Sequence, residues 1–450
     1  MKKSKLLLCI ILVVLVVLGW GMGVYTFLNI KEVDAQNELV SEADTFVSKE
    51  LYIRAIPVYK EALTHKTDSN TEIERKLLKC YYNFGDGQSY SDLAVDLEKR
   101  GLADEDLYVN LAEIYMESND YANGVKYLEK GLTSYPDSDR LRKAYDSSAF
   151  LYEVNQTSYS SILPSSGVTA SLYPAFDGTK WTYIGRYGWK EEIDEQFNKA
   201  TPFSDNGFAA VETDGKYYII NTDGDRYSVS DSASHISDVL GVSDDFVLVK
   251  TDKGYAYYWL DDWKSTGEQF MFDMVTAYNG GFAAVKKGKW GINKNTGEQV
   301  LDYTLNDIPV NSLGAAFAGD GAMAQFEDGL YYLINTTGTR ISDKGYRGAK
   351  APEEESGMIA VQDESGKWGF MDWNGDLRIP CQYDDAYSFS DGLAAVCEAG
   401  SWNYIASDGV KVIEDDFHNG APFHMGIAPV VLQDDTAALV SLNYCSERDG

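Results

Sequence analysis

A short phrase recurs eight times in the second two-thirds of the chain and constrains the fold more than any other feature. Its clearest copies read GFAAVKKGKWGINKNTG (281–297), GMIAVQDESGKWGFMDWNG (357–375) and GLAAVCEAGSWNYIASDG (392–409). The copies begin at Ser171, Gly207, Asp245, Gly281, Gly321, Gly357, Gly392 and Gly426, so neighbouring copies lie 36, 38, 36, 40, 36, 35 and 34 residues apart. A regular internal period predicts a repeat architecture. Because such architectures commonly bind rather than catalyse, the phrase also favours a binding function.

Each copy predicts a β-hairpin. A strand of small apolar residues leads through a short turn with Gly, Asp or Lys into an aromatic strand such as KWGI, KYYI, LYYL or KWGF. Alternating aromatic and β-branched residues between Gly-rich turns are typical of hairpins. A second pattern between the hairpins, as in LRIPCQYDDAYSFSD, adds one or two short strands. Three or four short strands per copy indicate a β-propeller blade or a β-solenoid coil.

The phase of the repeat distinguishes these two architectures. The last copy begins at Gly426 and lacks the second pattern, whereas 150–166 resembles that missing half and precedes the first copy. Two half-units can complete one blade and close a ring, which removes exposed sheet edges, whereas a solenoid needs capping repeats. We therefore predict an eight-bladed β-propeller, with a twisted open β-array as the alternative. Pairing of 150–166 with 426–443 would indicate the closed ring.

The repeated phrase resembles the WG-repeat (KWG) proteins of bacteria. The resemblance rests on GKWGI (288–292), GKWGF (366–370), the preceding A-A-V or I-A-V and the following YDDAYSF, and it extends over about 171–450. Tyr217-Tyr218 and Tyr331-Tyr332 replace Trp-Gly in two weaker copies. The resemblance implies an architecture, and it implies no common enzymatic activity.

Residues 35–146 predict a helical array, because apolar residues recur at helical spacing and Gly and Pro are few. The clearest unit, 106–136, resembles a tetratricopeptide repeat, and two earlier units precede it at offsets of 34–35 residues. The signature positions of the clearest unit are Tyr108, Leu111, Ala112, Tyr115, Gly124, Leu128, Gly131 and Pro136. The small residues among them are expected to let paired helices approach closely. In the middle unit, Tyr90 stands where a small residue is expected.

The first thirty residues predict a membrane anchor. Lys2, Lys3 and Lys5 precede an uncharged, mostly apolar stretch from Leu6 to Ile30, which is long enough to cross a bilayer as a helix. The basic residues place the N-terminus in the cytoplasm and the rest of the chain outside a bacterial cell membrane. A cleaved signal peptide is the alternative. The predicted domains are thus an anchor (1–34), the helical repeats (35–146) and the WG-repeat β-domain (147–450).

The net charge of −31 excludes nucleic acid as the main partner, because so acidic a protein is repelled by phosphate backbones. Five Cys without a C-x-x-C pair do not indicate a disulfide scaffold. Cys381 and Cys397 fall in one repeat interval, and two free thiols are favoured there over a disulfide.

No catalytic, cofactor or metal site is predicted. His418 and His424 lack the further ligands of a zinc site and are interpreted as surface residues. The Asp-Gly clusters, such as the one from Asp372, fit hairpin turns better than calcium loops. Carboxylate pairs suited to glycosidic cleavage remain a weaker alternative. One set of aromatic residues shares a repeat position, for which packing between blades is favoured over sugar stacking; its members are Trp181, Trp290, Trp368 and Trp402.

The helical array offers one candidate binding site. The first helices of tetratricopeptide units line the concave face, and carrying those positions over predicts a peptide-binding groove formed by Arg75, Lys76, Lys79, Asn110, Glu113 and Glu117. Its basic residues could hold a carboxylate or an acidic segment by charge-assisted hydrogen bonds. The alternative is a set of solvated helix charges paired at i, i+4.

We therefore expect a non-enzymatic, membrane-anchored extracytoplasmic scaffold with protein or peptide partners and no cofactor. Cell-wall glycan is a further partner class. The alternatives are a sensor that binds a carbohydrate or another ligand and, more weakly, a carboxylate-based hydrolase.

Overall fold

A computed structural model describes residues 30–65, 67–166, 172–188, 191–228, 236–261, 271–353 and 357–442. The chain divides into two compact units, Met1–Tyr145 and Asp146–Gly450. The apolar stretch of the predicted anchor, from Leu6 to Ile30, lies outside the described residues except for Ile30. Among the helices that are described, none is long and apolar enough to span a membrane.

The first unit is helical. Its elements are α1 (30–47), α2 (Tyr52–Ala62), α3 (Asn70–Phe84), α4 (Gly87–Lys99), α5 (Glu105–Glu117), α6 (Tyr121–Ser134) and the start of α7 (Asp139–Ala149). Asp86, Asp104 and Asp120 begin α4, α5 and α6, because each carboxylate accepts a hydrogen bond from a backbone N–H of the first turn. Short turns join the helices into successive pairs. This arrangement matches the predicted helical repeats.

The helices share one apolar core, and small residues let them approach each other. A Cβ atom at Gly131 would lie 2.8 Å from Cδ2 of Leu141 and 3.0 Å from Cβ of Tyr108, and one at Gly124 would lie 3.1 Å from the carbonyl oxygen of Ala112. The predicted role of the small residues is therefore confirmed at both glycines. Tyr90 is buried, so the middle pair accommodates a large ring at this point.

The second unit is all-β, and its described strands form eight sheets, which we number in chain order. Sheet 1 contains β2 (Ser161–Ile162), β3 (Leu172–Phe176), β4 (Trp181–Gly185) and β5 (Glu191–Phe197). Sheet 2 contains β6 (Lys199–Ala200), β7 (Phe208–Thr213), β8 (Lys216–Asn221) and β9 (Arg226–Ser228). Sheet 3 contains β10 (Ile236–Ser243), β11 (Phe246–Thr251) and β12 (Gly254–Trp259). Sheet 4 contains β13 (Met274–Val275), β14 (Phe282–Lys287), β15 (Lys289–Lys294) and β16 (Gln299–Leu305).

The remaining sheets follow the same antiparallel plan. Sheet 5 contains β17 (Gly321–Gln325) and β18 (Tyr331–Asn335). Sheet 6 contains β19 (Gly348–Ala349), β20 (Ile359–Gln362), β21 (Trp368–Met371) and β22 (Leu377–Tyr383). Sheet 7 contains β23 (Asp385–Ala386), β24 (Ala394–Glu398), β25 (Ser401–Ile405) and β26 (Lys411–Phe417). Sheet 8 contains β27 (Ile427–Val431), β28 (Ala437–Leu442) and β1 (Tyr152–Gln156).

The sheets are not eight equal blades. Seven have three or four strands, whereas sheet 5 is a hairpin whose flanking segments pair only through single bridges, such as Asp307 with Gln325 and Tyr331 with Tyr346. The predicted propeller architecture is therefore present, but the prediction of eight blades was wrong, because seven sheets form blades and sheet 5 keeps only its central hairpin.

The ring is closed by strands from the two ends of the β-unit. β1 pairs antiparallel with β28, with Tyr152 opposite Leu442 and Gln156 opposite Ala438. The predicted pairing of 150–166 with 426–443 is therefore confirmed. An apolar cluster that includes Tyr173 of sheet 1 and Leu439 of sheet 8 packs the same junction.

Hydrogen bonds between successive sheets join the segments at their first strands. The Oγ of Ser166 donates to the carbonyl oxygen of Phe203 at 2.9 Å, and the backbone N–H of Gly426 donates to the carboxylate of Asp391 at 2.6 Å. These contacts span 37 and 35 residues, which is one repeat. At these two junctions they hold the first-strand segments of neighbouring sheets together.

Candidate functional site

The first helices of successive pairs lie side by side. Lys76 of α3 bonds the Asp44 carboxylate of α1 at 2.7 and 3.0 Å, and the Tyr82 hydroxyl of α3 donates to Glu113 of α5. Arg140 of α7 pairs with Asp106 of α5. These cross-helix contacts place charged side chains of α1, α3, α5 and α7 on one surface, which we call the helical face.

Two of the predicted basic residues use their charge within the chain. Lys76 is bound to Asp44, and Arg75 bonds both the Asp104 carboxylate and the carbonyl oxygen of Leu102. Burial acts to raise the pKa of Asp44, but the hydrogen bonds from Lys76 and Tyr59 outweigh it and hold that pKa below its usual value. Arg75 and Lys76 therefore each form an ion pair within the helical unit, although both belong to the predicted groove.

The other predicted groove residues are more accessible. Lys79 and Glu117 are exposed, and neither forms an ion pair among the residues that the structure describes. Glu113 accepts the Tyr82 hydroxyl, and this bond, together with burial, raises the pKa of Tyr82 to about 12. Asn110 is half-buried beside the Tyr90 hydroxyl. Lys79 and Glu117 are thus accessible to a partner. The other four groove residues contact neighbouring side chains of the helical unit.

The histidine pair is split between two environments. His418 is exposed and pairs with Asp435 at 2.6 Å, as expected for a surface residue. The prediction was wrong for His424, which is only 4% exposed. Its segment precedes β27 and lies at the first-strand edge of sheet 8, which faces the interior of the ring and not solvent.

His424 belongs to a buried polar cluster with Ser312 and Glu353, which come from segments before β17 and β20. The Ser312 hydroxyl donates to Glu353 Oε2 at 2.9 Å, and the Ser312 backbone N–H donates to Oε1 at 3.1 Å. His424 Nε2 lies 2.7 Å from Ser312 Oγ and 3.6 Å from Glu353 Oε2. Burial lowers the pKa of His424 to about 4. Since Ser312 belongs to sheet 5 and His424 to sheet 8, this cluster joins non-adjacent sheets near the ring axis.

The other candidate ligands form no metal site. Asp372 uses one carboxylate oxygen for the backbone N–H groups of Asn374 and Asp376 and the other for Arg378, as a turn residue does. Cys381 and Cys397 are free thiols. Across the described ranges, no group of three or more His, Cys, Asp or Glu is arranged to hold a metal ion.

The repeated tryptophans pack in the core. Trp290 and Trp402 are buried, and Trp181 and Trp368 are half-buried against apolar clusters at the sheet junctions. The favoured interpretation, packing between blades, therefore agrees with their positions.

A cavity of about 690 Å³ lies inside the β-unit, and the sequence did not predict it. First-strand segments of sheets 1 to 5 form most of its wall, and Leu248, Tyr255 and Trp290 of later strands complete it; we infer that the first-strand edges face the ring axis. Three large apolar side chains of this wall are exposed: Leu240 at 36%, Met274 at 46% and Val310 at 50%. A concave site of this size that combines exposed apolar side chains with polar groups is typical of a small-molecule site.

The cavity is acidic. Asp205, Asp244 and Asp307 line it, and none of its described lining residues is Lys, Arg or His. Asp307 accepts the Tyr331 hydroxyl at 2.7 Å. Burial, then the neighbouring charges of Asp245 and Asp205, raise the pKa of Asp244. The cavity therefore carries uncompensated negative charge, which favours a cation over an anion.

Two sequence families match parts of the chain. The WG containing repeat matches residues 193–217 and 368–402, and the Tetratricopeptide repeat matches residues 105–138. These matches cover separate segments of the β-unit and of the helical unit. The resemblances predicted from GKWGF and from 106–136 are therefore confirmed. No curated protein matches the chain.

Solved structures give distant similarity only. Hsv2 of Kluyveromyces lactis is 11% identical, with a TM-score of 0.34, over 65% of this chain and 98% of that one. A eukaryotic initiation factor is 11% identical, with a TM-score of 0.37, over 63% and 85%. The dihydro-heme d1 dehydrogenase NirN in complex with DHE is 13% identical, with a TM-score of 0.31, over 63% of both chains. Similarity at this level gives no information on what this chain binds.

Proposed function

We propose that the protein is a non-catalytic, membrane-anchored scaffold that holds a protein segment on its helical face outside a bacterial cell membrane. The observation that carries the proposal is the continuity of this face over α1, α3, α5 and α7. Cross-helix pairs fix its shape, and Lys79 and Glu117 stay exposed at its centre. A rigid face on which a cation and an anion both remain exposed suits an extended segment of mixed charge.

The Ser312–His424–Glu353 cluster supports a non-catalytic role. Ser312 Oγ and Glu353 Oε2 both lie beside the same ring nitrogen of His424, Nε2, and Ser312 also bonds Glu353 directly. A nucleophilic serine requires a different arrangement, in which the acid bonds the ring nitrogen that does not face the serine. The cluster therefore suits a structural link better than acyl transfer.

A further part of the proposal rests on the sequence. Lys2, Lys3 and Lys5 before the apolar stretch from Leu6 to Ile30 support an anchor with the N-terminus in the cytoplasm. Anchoring would raise the effective concentration of a partner held beside the membrane.

Site-specific photocrosslinking in living cells tests the helical face. A photoreactive residue replaces Lys79 in one variant and Lys99, an exposed lysine on the second helix α4, in a matched control. We expect position 79 and not position 99 to crosslink a discrete protein. In a second experiment the photoreactive residue replaces Asn83, one helical turn after Lys79. Lys79→Glu should then abolish capture, whereas Lys99→Glu should not. Identical products from both positions would refute the proposal.

A second candidate function is ligand binding by the β-unit, as in a sensor domain. The cavity of about 690 Å³ along the ring axis is the observation that favours it. A ligand-binding measurement on this cavity is independent of the helical face, because none of the described lining residues belongs to the first unit.

A further inference from the structure

The axial cavity has a composition that selects the chemistry of its ligand. Leu240, Met274 and Val310 expose apolar surface to it although they come from three different sheets. Exposed apolar side chains that converge on one concavity mark a binding site more often than scattered ones do. The ligand is therefore expected to carry an apolar part.

The charged part of the ligand follows from the carboxylates. Asp205 is exposed and Asp244 is half-buried, and the two are close enough for the Asp205 charge to act on Asp244. Among the described lining residues, no basic side chain neutralises them. A ligand cation would relieve this repulsion, whereas a neutral ligand would leave it in place.

The cavity wall also contains an unused hydrogen-bond donor. Trp290 lines the cavity and is 4% exposed, and its indole N–H has no acceptor among the described residues. Buried donors are normally paired, so an unpaired one in a cavity wall points to a missing partner. Because this nitrogen is itself shielded from the cavity, a ligand oxygen would reach it only if the Trp290 ring moved.

We infer that the axial cavity binds an aliphatic ammonium cation, with its alkyl chain against Leu240, Met274 and Val310 and its ammonium group between Asp205 and Asp244. This inference rests on the ligand-binding candidate function and names the class of ligand. The same chemistry occurs in free polyamines and in lysine side chains of peptides.

Isothermal titration of the full chain, in a buffer of physiological ionic strength, tests the inference with three probes: cadaverine, spermidine and Nα-acetyl-lysine methylamide. The last carries the carbonyl oxygens of a peptide. Tighter binding of that probe indicates a lysine side chain as the natural source, and tighter binding of the free amines indicates a polyamine. Saturable binding of either type supports the cation site.

Asp244→Asn is expected to weaken binding about tenfold or more, the loss typical of a hydrogen bond to a charged group. Asp391→Asn is the matched control. Asp391 holds the same place in its repeat, accepts a backbone N–H of the next repeat and also has positive φ, but it does not line the cavity. Asn tolerates this backbone conformation, so neither change strains the fold.

A second variant tests the apolar wall. Val310→Lys places a cation inside the cavity and should abolish binding while circular dichroism shows an unchanged fold. Equal binding by the wild type, Asp244→Asn and Val310→Lys would overturn the inference and indicate nonspecific attraction to an acidic protein. Binding of a neutral oligosaccharide but of none of the amines would also overturn it, while it would sustain the broader ligand-binding function.

Discussion

Three buried tyrosines link successive sheets through their hydroxyl groups. Tyr183 of sheet 1 donates to the carbonyl oxygen of Thr201 at 2.8 Å, and Tyr257 of sheet 3 donates to that of Thr276 at 2.7 Å. Tyr404 of sheet 7 donates to the carbonyl oxygen of Ala421 at 2.8 Å. Each acceptor lies in the first-strand segment of the next sheet, so each hydroxyl fixes the distance between neighbouring sheets.

Replacing these tyrosines with phenylalanine measures that contribution. The three side chains are 0%, 2% and 0% exposed, so water cannot take the place of the lost hydroxyl groups. A buried carbonyl that loses its donor costs about 1–2 kcal/mol of unfolding free energy. Because sheets 1, 3 and 7 are separate, the losses should add to about 3–6 kcal/mol in the triple variant.

Urea unfolding followed by tryptophan fluorescence provides the assay, since eight of the nine tryptophans lie at or after Trp181 and report on the β-unit. Tyr227→Phe is the control, because Tyr227 is 46% exposed. The triple variant should unfold at a clearly lower urea concentration with an unchanged slope, which indicates an unchanged native state. A triple variant with the midpoint of Tyr227→Phe would show that the hydroxyl bonds do not hold the sheets together.

Two further predictions concern pH. Lys76→Met should lower the stability of the helical unit by at most about 1 kcal/mol near neutral pH, because the ion pair with Asp44 is partly exposed. Since the folded state lowers the pKa of Asp44, this stability is present above the ordinary pKa and lost as pH falls through the folded one, so urea unfolding followed by circular dichroism should give converging curves in acid. Asp244→Asn should raise the unfolding midpoint of the β-unit near neutral pH, because the raised pKa of Asp244 means that its ionisation opposes folding. That gain should vanish in acid, where Asp244 is protonated, and a neutral-pH midpoint at or below that of the wild type would contradict the role of charge repulsion.

The architecture could be predicted because each copy of the phrase makes one hairpin. The phase of the last copy also predicted that 150–166 completes the sheet of 426–443, which the pairing of Tyr152 with Leu442 confirms. The reduction of sheet 5 could not be predicted in the same way, since its hairpin sequence GAMAQFEDGLYYLIN follows the pattern of the other copies. The difference lies in the flanking segments, where pairing depends on neighbouring sheets.

The sites were less predictable because they depend on contacts between repeats. Lys76 and Asp44 are 32 residues apart, close to one helical repeat, so that period could have suggested the ion pair. His424 was assigned to the surface because a single sequence does not show that the first-strand segments face the ring axis. The cavity combines residues from five copies, and none of them is unusual by itself.

Two irregularities of the repeat nevertheless point to the cavity. The longest spacings between copies are 38 residues, from Gly207 to Asp245, and 40 residues, from Gly281 to Gly321. Leu240 lies in the first of these intervals, at a register shift in β10 between Val239 and Gly241.

Val310 lies in the second interval, in the long segment before the reduced sheet 5. Extra residues in an otherwise regular strand redirect a side chain, and here they turn two apolar side chains toward the axis. The later copies keep spacings of 36, 35 and 34 residues and contribute Glu353 and His424, which are buried in the cluster with Ser312. An irregular repeat loses strand pairing, and such losses are common at functional sites. We therefore expect the ligand in the irregular half of the ring.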